Sequence, residues 1–158
     1  MSQVFECAIQ ARMGDVNFAG HVDNVEALRV VDEARAHFLG YRDPRTGEHS
    51  PGLMDTLEPG TLPVVGGHRL EYHHELFASL AEPYTVAIWV THVGSASFTL
   101  DTTISHPASG PEPAVIAETT LVLHDTRTGR AIPLPDSARA ALDAQRGEPL
   151  PLRPRPGA

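Results

Sequence analysis

Residues 12–24 decide how the rest of the chain is interpreted, and they read Arg12-Met13-Gly14-Asp15-Val16-Asn17-Phe18-Ala19-Gly20-His21-Val22-Asp23-Asn24. Two glycines, an aspartate and an asparagine interrupt any regular hydrophobic pattern, so we predict a loop from Met13 to Gly20. Asp23 and Asn24 are of the types that cap helix N-termini, and Glu26 follows Asp23 by three positions, as in a capping box. The stretch therefore predicts a loop that leads directly into a helix.

The pattern downstream of this loop predicts one long helix and then a series of strands. Apolar residues recur at spacings of three and four until Gly40, which predicts a helix over residues 24–39. The hydrophobic period then changes to two. The predicted strands are 4–11, 62–76, 84–93, 97–105 and 115–125, with a helical turn near 53–57 and a short helix over 137–145 capped by Asp136.

Consecutive strands with short connections favour an antiparallel sheet. We therefore predict an α+β fold in which a long central helix packs on a five-stranded antiparallel sheet. Because one helix cannot cover both faces of such a sheet, we expect the other face or an edge to contact a second subunit.

Length and composition predict one folded domain. The 158 residues include 41% hydrophobic and 20% charged residues, enough apolar material for a core. We place a single domain at residues 1–146. Residues 147–158 are rich in proline and arginine and are expected to form an unpaired tail.

The charge balance disfavours two classes of partner. Lysine is absent, so the 12 basic residues are all arginine, and the formal net charge is −8. Nucleic-acid binding and contact with anionic membranes are therefore not expected. The sequence contains no apolar run of membrane-spanning length and begins without a signal-peptide pattern, so we expect a cytoplasmic location.

Metal binding is also not expected. The sole cysteine, Cys7, excludes an internal disulfide and a cysteine-rich zinc site. His68, His73, His74 and Glu75 lie close in sequence, but neighbouring residues of a strand point to opposite faces. We predict no metal and no cofactor.

The loop and helix resemble the hotdog-fold acyl-CoA thioesterases of the 4-hydroxybenzoyl-CoA thioesterase type. Their signature reads Arg-x-x-Asp-x-Asp-x-x-Gly-His-Val-Asn-Asn and continues into a helix that contains Glu-Ala-Arg. The matching positions are Arg12, Asp15, Gly20, His21, Val22, Asn24, Glu33, Ala34 and Arg35. The resemblance implies a hotdog fold, an acyl-CoA or acyl-carrier-protein substrate, and a homodimer or homotetramer with active sites at its interfaces.

Three positions depart from this signature. Asn17 stands where the family's catalytic aspartate usually stands, Asp23 replaces the first asparagine of the pair, and Ala27 replaces a common tyrosine. An amide is a poor nucleophile and has no proton to lose near neutral pH. The chain is similar in this respect to the thioesterases of enediyne polyketide pathways, whose asparagine and arginine correspond to Asn17 and Arg35.

That similarity implies that Asn17 and Arg35 orient the thioester and a water molecule without a catalytic carboxylate. The N–H groups at the helix start, near Asp23 and Asn24, could stabilise a developing oxyanion. Asp15 and His21 are further catalytic candidates. Each of the four also has a structural interpretation: Asn17 as a turn residue, Asp15 as a hydrogen-bond acceptor in the loop, His21 as a packing residue and Arg35 as an ion-pair partner.

Candidate substrate-binding residues lie in later strands as well. In related hotdog enzymes, the strand that carries Gly66, Gly67 and His68 lines the pocket of the neighbouring subunit, although a plain strand bulge explains the glycines equally well. Ser95 and Ser97, in a predicted hairpin, could contact the pantetheine arm.

The sequence thus favours hydrolysis of an acyl thioester to a carboxylic acid and a thiol. The departure at Asn17 keeps a second hypothesis open, a non-catalytic module that binds acyl thioesters. A hotdog dehydratase is a third alternative, but it needs a histidine and glutamate pair on the helix, for which His37 is only a weak candidate.

Overall fold

The computed structural model describes residues 4–43 and 45–154, except for the side chain of Arg42. Its strands are β1 (Phe5–Ile9), β2 (Tyr41–Arg42), β3 (His49–Ser50), β4 (Thr61–Tyr72), β5 (Tyr84–Val93), β6 (Ser97–Ser105) and β7 (Val115–Asp125). Its α-helices are α1 (Asn24–Leu39) and α2 (Asp136–Asp143), and short 3₁₀ turns occur at Met13–Asp15, Leu53–Thr56 and Pro107–Ser109.

Five of the strands form one antiparallel sheet in the order β1-β5-β6-β7-β4, and β2 pairs with β3 in a separate ribbon. The α+β class and the five-stranded antiparallel sheet with a helix are confirmed. The long strand β4 forms one edge of this sheet, and the shorter β1 forms the other.

Helix α1 packs the apolar face that the sequence pattern predicted against the sheet. Its buried residues are Ala27, Val30, Val31, Ala34 and Phe38. The helix contacts β1, β5 and β6, and this side of the sheet holds most of the hydrophobic core. An apolar stripe along one face of a helix is typical of a helix that is stabilised mainly by tertiary packing.

At the ends of α1, the structure confirms the predicted N-cap and the stop at Gly40 but not the predicted capping box. The side chain of Asp23 accepts a hydrogen bond from the amide of Val25 at 3.0 Å, which confirms the N-cap. The capping box is wrong, because Glu26 binds Arg29 instead, with 2.8 Å between its carboxylate and Nε. Gly40 ends the helix at a φ of +83°, and a β-carbon there would lie 2.7 Å from the backbone nitrogen of Gly52. A side chain at position 40 is excluded on both grounds.

The prediction of a strand over 62–76 is wrong for residues 73–76, which follow the end of the strand. β4 stops at Tyr72, and the carbonyl of Leu76 accepts a hydrogen bond from the amide of Val22 at 2.7 Å. The chain after Tyr72 therefore leaves the sheet and lies against the loop that precedes α1. Alternation alone could not show this, because the residues that follow Tyr72 remain compatible with a strand.

An ion-pair cluster fastens the loop to α1. The Oδ2 atom of Asp15, a residue only 1% exposed, lies 2.8 Å from Nη2 of Arg29. It also accepts hydrogen bonds from the amide of Arg12 at 2.9 Å and from the hydroxyl of Tyr84 at 3.2 Å. Arg29 binds Glu33 at 2.6 Å, and Glu33 in turn lies 3.3 Å from Arg12. This Asp15–Arg29 anchor ties loop, helix and sheet together.

The C-terminal segment is not unpaired, which corrects the prediction for residues 147–153. The amide of Gly147 donates to the carbonyl of Val90 at 2.9 Å, and the indole N–H of Trp89 donates to the carbonyl of Glu148 at 2.8 Å. A β-carbon on Gly147 would lie 2.4 Å from the indole ring of Trp89, so the segment can approach the sheet only because residue 147 is glycine. Residues 155–158 lie outside the described residues, and the division at residue 146 stays a prediction.

We call residues 145–153 the C-terminal strap, because they cross the sheet on the side away from α1. The amide of Leu150 donates to Asp101 of β6 at 2.7 Å, and the amide of Arg153 donates to Glu71 of β4 at 2.7 Å. Asp101 is only 1% exposed beneath the strap. Burial raises the pKa of its carboxyl, the amide of Leu150 opposes that shift, and the negative charge of Glu118 adds to it.

We expect Arg29→Met to destabilise the fold by about 2 kcal/mol or more, because it leaves the buried Asp15 carboxylate without its cation. Arg29 is partly exposed, so solvent screens part of its charge and the loss is smaller than for a fully buried pair. Chemical denaturation measures the effect. The matched control is Arg146→Met, which removes an exposed pair whose two side chains are each 47% exposed and should cost less than about 1 kcal/mol. Equal losses in both variants would contradict the anchor.

We expect Asp101→Asn to raise the melting temperature at pH 7. The pKa of this carboxyl is higher in the folded state, so its ionisation costs stability as pH rises through that pKa, and the variant's advantage should vanish in acid, where both states bind the proton. Asp125→Asn is a control of opposite sign, because hydrogen bonds from the amides of Arg127 and Thr128 lower the pKa of Asp125. That variant should be less stable at pH 7, and its deficit should disappear in acid.

Candidate active site

Asn17 lies at the start of a tight turn at the tip of the loop. Its backbone carbonyl accepts from the amide of Gly20 at 3.1 Å, and its amide donates to the carbonyl of His21 at 2.9 Å. The side-chain Oδ1 accepts from the amide of Ala19 at 2.9 Å. The turn interpretation of Asn17 is therefore correct, but it uses only the oxygen of the carboxamide. The Nδ2 group, which is a donor only, lies 3.5 Å from Nδ1 of His21.

A cavity of about 380 Å³ opens beside this turn. Its walls come from the loop, the first turn of α1, and the chain where β4 ends. The lining residues are Asn17, His21, Val22, Asn24, Ala27, Tyr72, His74, Glu75 and Leu76. The cavity therefore holds Asn17 and His21 of the predicted catalytic set at the positive end of the α1 dipole.

His74 and Glu75 belong to this cavity although the sequence analysis considered them only as metal ligands. Both side chains lie beyond the end of β4, and both residues are exposed. The expectation that His73 and His74 point to opposite faces of a strand is therefore wrong, because neither is in the strand. No sequence signal could have placed Glu75 in the cavity, because the residues after Tyr72 remain compatible with a strand.

Asp15 and His21 have different surroundings. Asp15 is buried in the anchor and does not line the cavity, so the structure assigns it the loop-fastening role that the sequence analysis held as the alternative. His21 lines the cavity, and its Nδ1 atom lies 3.2 Å from the carbonyl of Val22. A proton on Nδ1 that is donated to this carbonyl leaves Nε2 as a hydrogen-bond acceptor.

Arg35 lies at the other end of α1, away from Asn17. The first residue of α1, Asn24, lines the Asn17 cavity, and Arg35 follows it by about 16 Å along the helix at about 1.5 Å per residue. The guanidinium is paired with Asp32 at 2.6 Å, so the ion-pair partner is on the same helix and not in the loop. A single protomer therefore does not bring Asn17 and Arg35 together.

His68 joins Arg35 and Asp32 in what we call the helix–edge cluster. Its Nε2 lies 3.5 Å from Oδ1 of Asp32, and its Nδ1 lies 3.0 Å from the hydroxyl of Thr119 on β7. Burial lowers the pKa of the His68 imidazole; Asp32 opposes this shift and Arg35 adds to it. The cluster thus combines a cation, a carboxylate and an imidazole that stays neutral near pH 7.

The glycine pair before His68 is a strand irregularity. The pairing of β4 with β7 shifts between Val65 and Gly67, which confirms the bulge interpretation. A β-carbon on Gly67 would contact nothing within 4 Å, and one on Gly66 would make ordinary contacts of 3.6 Å. Within one protomer, these glycines are not required by close packing.

Ser95 and Ser97 lie in the β5–β6 hairpin and do not line the Asn17 cavity. The hairpin follows the far end of β5, whose first residue, Tyr84, contacts the anchor. A strand of 10 residues spans about 33 Å, which separates the two places. The carbonyl of Ser95 accepts from the amide of Leu134 at 2.9 Å, so its backbone supports the segment before α2.

A larger cavity of about 750 Å³ lies where α1 ends. Its apolar walls come from the end of α1, the 3₁₀ turn at Leu53–Thr56 and the start of β4. They include Ala36, Leu39, Tyr41, Met54, Leu57 and Leu62, and the Nε2 atom of His49 lies within hydrogen-bond distance of Asp55, at 2.8 Å, among the lining residues. Ala36 and Leu39 lie on the same side of α1 as Asp32 and Arg35, at helical spacings of three and four.

Two other kinds of chemistry have no support among the residues described. In the ranges 4–43 and 45–154, no three histidine, cysteine, aspartate or glutamate side chains are placed to hold a metal. Burial and the nearby Glu33 raise the pKa of Cys7 to about 11, so the thiol stays protonated near neutral pH and is a poor nucleophile.

None of the helices described is long and apolar enough to cross a membrane.

Comparisons with known proteins agree with this architecture. A predicted thioesterase from Bacillus stearothermophilus has a TM-score of 0.70 at 17% identity over 93% of this chain and 99% of its own. A thioesterase from Thermus thermophilus, complexed with coenzyme A and Zn, has a TM-score of 0.66 at 20% identity over 92% and 96%. The PA5185 protein from Pseudomonas aeruginosa has a TM-score of 0.68 at 17% identity over 91% of each chain.

At sequence identities of 17% to 20%, these structural matches show that the fold is shared. No curated protein shows significant sequence similarity to this chain. The family described as the thioesterase-like superfamily matches residues 11–142, which include the loop, α1, the whole sheet after β1, and most of α2. The enzyme class expected from the sequence, a thioester hydrolase, agrees with this match. The chain belongs to the thioesterase-like superfamily.

Proposed function

We propose that the protein hydrolyses an acyl-CoA or acyl-carrier-protein thioester to a carboxylic acid and a free thiol. The observation that carries this proposal is the cavity that joins the Asn17 carboxamide to the first turn of α1. Hydrogen-bond donors at this place suit a thioester carbonyl whose oxygen gains negative charge during attack by water. The likeness to a thioesterase that is complexed with coenzyme A supports a CoA-type donor.

In this proposal Asn17 acts through its Nδ2 group. The Oδ1 atom is held by the amide of Ala19, which fixes the plane of the carboxamide and turns Nδ2 into a preorganised donor. Arg35 supplies the positive charge that a carboxamide lacks. The two side chains therefore have complementary roles at the thioester carbonyl.

The site is completed by a second copy of the chain. β4 is an edge strand of 12 residues whose only partner among the described strands is β7, and a long open edge is a template for pairing with another strand. β4 runs antiparallel to α1, because Tyr72 contacts the carbonyl of Asn24 whereas His68 contacts Asp32. Antiparallel pairing of two β4 edges around a two-fold axis therefore moves the Asn17 cavity of one protomer toward the Arg35 of its partner.

The acyl group would lie in the larger cavity at the end of α1. Ala36 and Leu39, which line that cavity, lie on the helix face that carries Arg35, and its volume of about 750 Å³ is within the usual range of about 300–1,000 Å³ for small-molecule sites. Its apolar walls suit a bulky or long acyl group, and the pair His49–Asp55 places a polar group among them.

A non-catalytic module that binds acyl thioesters remains the second candidate, and the engagement of Asn17 in its turn is the observation in its favour. Incubation of the pure protein with a panel of short, long and aromatic acyl-CoAs, followed by thiol release, distinguishes the two. Turnover supports the hydrolase. Binding without thiol release on any substrate supports the module, and in that case Asn17→Asp should create hydrolysis, since a carboxylate restores the usual chemistry of this position.

For the hydrolase, Asn17→Ala and Arg35→Met should each lower kcat by about 10²–10³, the usual range for loss of one oxyanion donor. Thiol release from the best acyl-CoA measures the effect. The control is Arg139→Met, which removes a surface arginine near the β5–β6 hairpin and should leave kcat unchanged. Unchanged kcat in both site variants would contradict the assignment of Asn17 and Arg35.

Mixing those two inactive variants tests whether the site is shared between protomers. A heterodimer of Asn17→Ala and Arg35→Met has one site that combines both defects and one site that is intact. After subunit exchange, we expect about a quarter of the wild-type activity to return, since half of the dimers are mixed and each has one good site. If both residues acted within one chain, mixing would restore nothing.

A further inference from the structure

The helix–edge cluster contains the elements of a general base that the Asn17 position lacks. The Nδ1 atom of His68 lies 3.0 Å from the Thr119 hydroxyl, and its Nε2 atom lies 3.5 Å from the Asp32 carboxylate, a contact longer than an ordinary hydrogen bond. Its side chain is 21% exposed, so one part of the imidazole remains open to a substrate or a water molecule. Arg35, the cation of the proposed site, is bound to the same Asp32 at 2.6 Å.

The charges around His68 keep its imidazole neutral. Asp32 and Arg35 of α1 face the ring across the edge of the sheet, and Thr119 of β7 faces it from the neighbouring strand. Burial and the positive charge of Arg35 together outweigh the negative charge of Asp32, so the pKa of His68 falls below its ordinary value. A neutral imidazole near pH 7 is the protonation state that a general base requires.

We propose that His68 is the general base of the hydrolysis, with Thr119 as the positioning residue that orients its ring through Nδ1 and Asp32 as the carboxylate that stabilises the protonated ring. This inference rests on the proposed function, because it concerns the same reaction. It assigns the proton transfer that neither the Asn17 carboxamide nor the Arg35 guanidinium can perform. The base and the cation belong to one protomer, and Asn17 is contributed by the other.

The proton balance of the step is complete. A proton on Nδ1 is donated to the Thr119 hydroxyl, which leaves the lone pair of Nε2 to take a proton from water while the water oxygen bonds to the acyl carbon. The oxyanion that forms is stabilised by Asn17 and Arg35, and Asp32 stabilises the imidazolium. When the C–S bond breaks, the imidazolium returns the proton to the thiolate sulfur, which yields a carboxylic acid and a thiol.

The test is the pH profile of kcat with the acyl-CoA that the wild type hydrolyses best. The wild type should lose activity in acid with an apparent pKa below about 6.5, the ordinary value of histidine. His68→Gln should lower kcat by about 10²–10⁴, the usual contribution of a general base, and should remove this acidic limb. Asp32→Asn should move the limb to lower pH, because the carboxylate raises the pKa of His68, which a purely structural role would not do.

The control is His124→Gln, the same substitution on the opposite face of the sheet in β7, which should preserve both kcat and the acidic limb. If the wild type hydrolyses acyl-CoA but His68→Gln keeps the limb, the proposal is overturned while the proposed function stands. If Glu75→Gln removes the limb instead, the base is the carboxylate of the Asn17 cavity, and His68 is excluded. Absence of hydrolysis by the wild type on every substrate overturns both.

Discussion

The contact between the Asp15 carboxylate and the Arg29 guanidinium is the interaction on which the candidate site depends. Asp15 is inaccessible to solvent, and its Oδ2 atom receives hydrogen bonds from the loop, α1 and β5. A buried carboxylate is tolerated only when its charge and lone pairs are satisfied. The loop therefore has one arrangement in which its charge is stable, and that arrangement places Asn17 beside the first turn of α1.

This anchor also explains much of the signature from which the fold was predicted. Arg12, Asp15 and Glu33 match the thioesterase pattern, and all three contact one another or Arg29. Their first role here is to hold the loop on the helix. Asn17, to which we assign a role in the reaction, is one of the three positions that depart from the pattern. A loop can thus retain its conformation after a change of the reacting group, because the residues that shape it are separate from the residue that it presents.

The regular elements were predictable because their patterns are local. The predicted α1, β5, β6 and β7 agree with the structure, since a helix period or an alternating period in the sequence corresponds to one buried face. The strap was not predictable in this way. A segment rich in proline has no period, and its binding depends on Asp101, Trp89 and the absence of a side chain at Gly147. Those are tertiary contacts between residues far apart in the sequence.

The candidate site, likewise, was predictable only in its composition. The sequence pattern indicated Asn17, His21, Arg35 and His68 as site residues. It could not show that Arg35 and His68 lie far from Asn17 and His21 within a single protomer. Arg29 escaped notice because an arginine on a helix with glutamates nearby is typical of a solvated face.

The separation along α1 has a physical consequence for the reaction. Asn17 lies at the positive end of the helix, whereas the helix–edge cluster lies along its second half, where the Asp32 carboxylate pairs with Arg35 and faces His68. Antiparallel association of two helices through the β4 edges places the positive end of one beside the second half of the other. Each interface would then combine donors that stabilise an oxyanion with a carboxylate that stabilises the protonated base. The proposed hydrolysis uses both within one site, so activity in this arrangement requires the dimer.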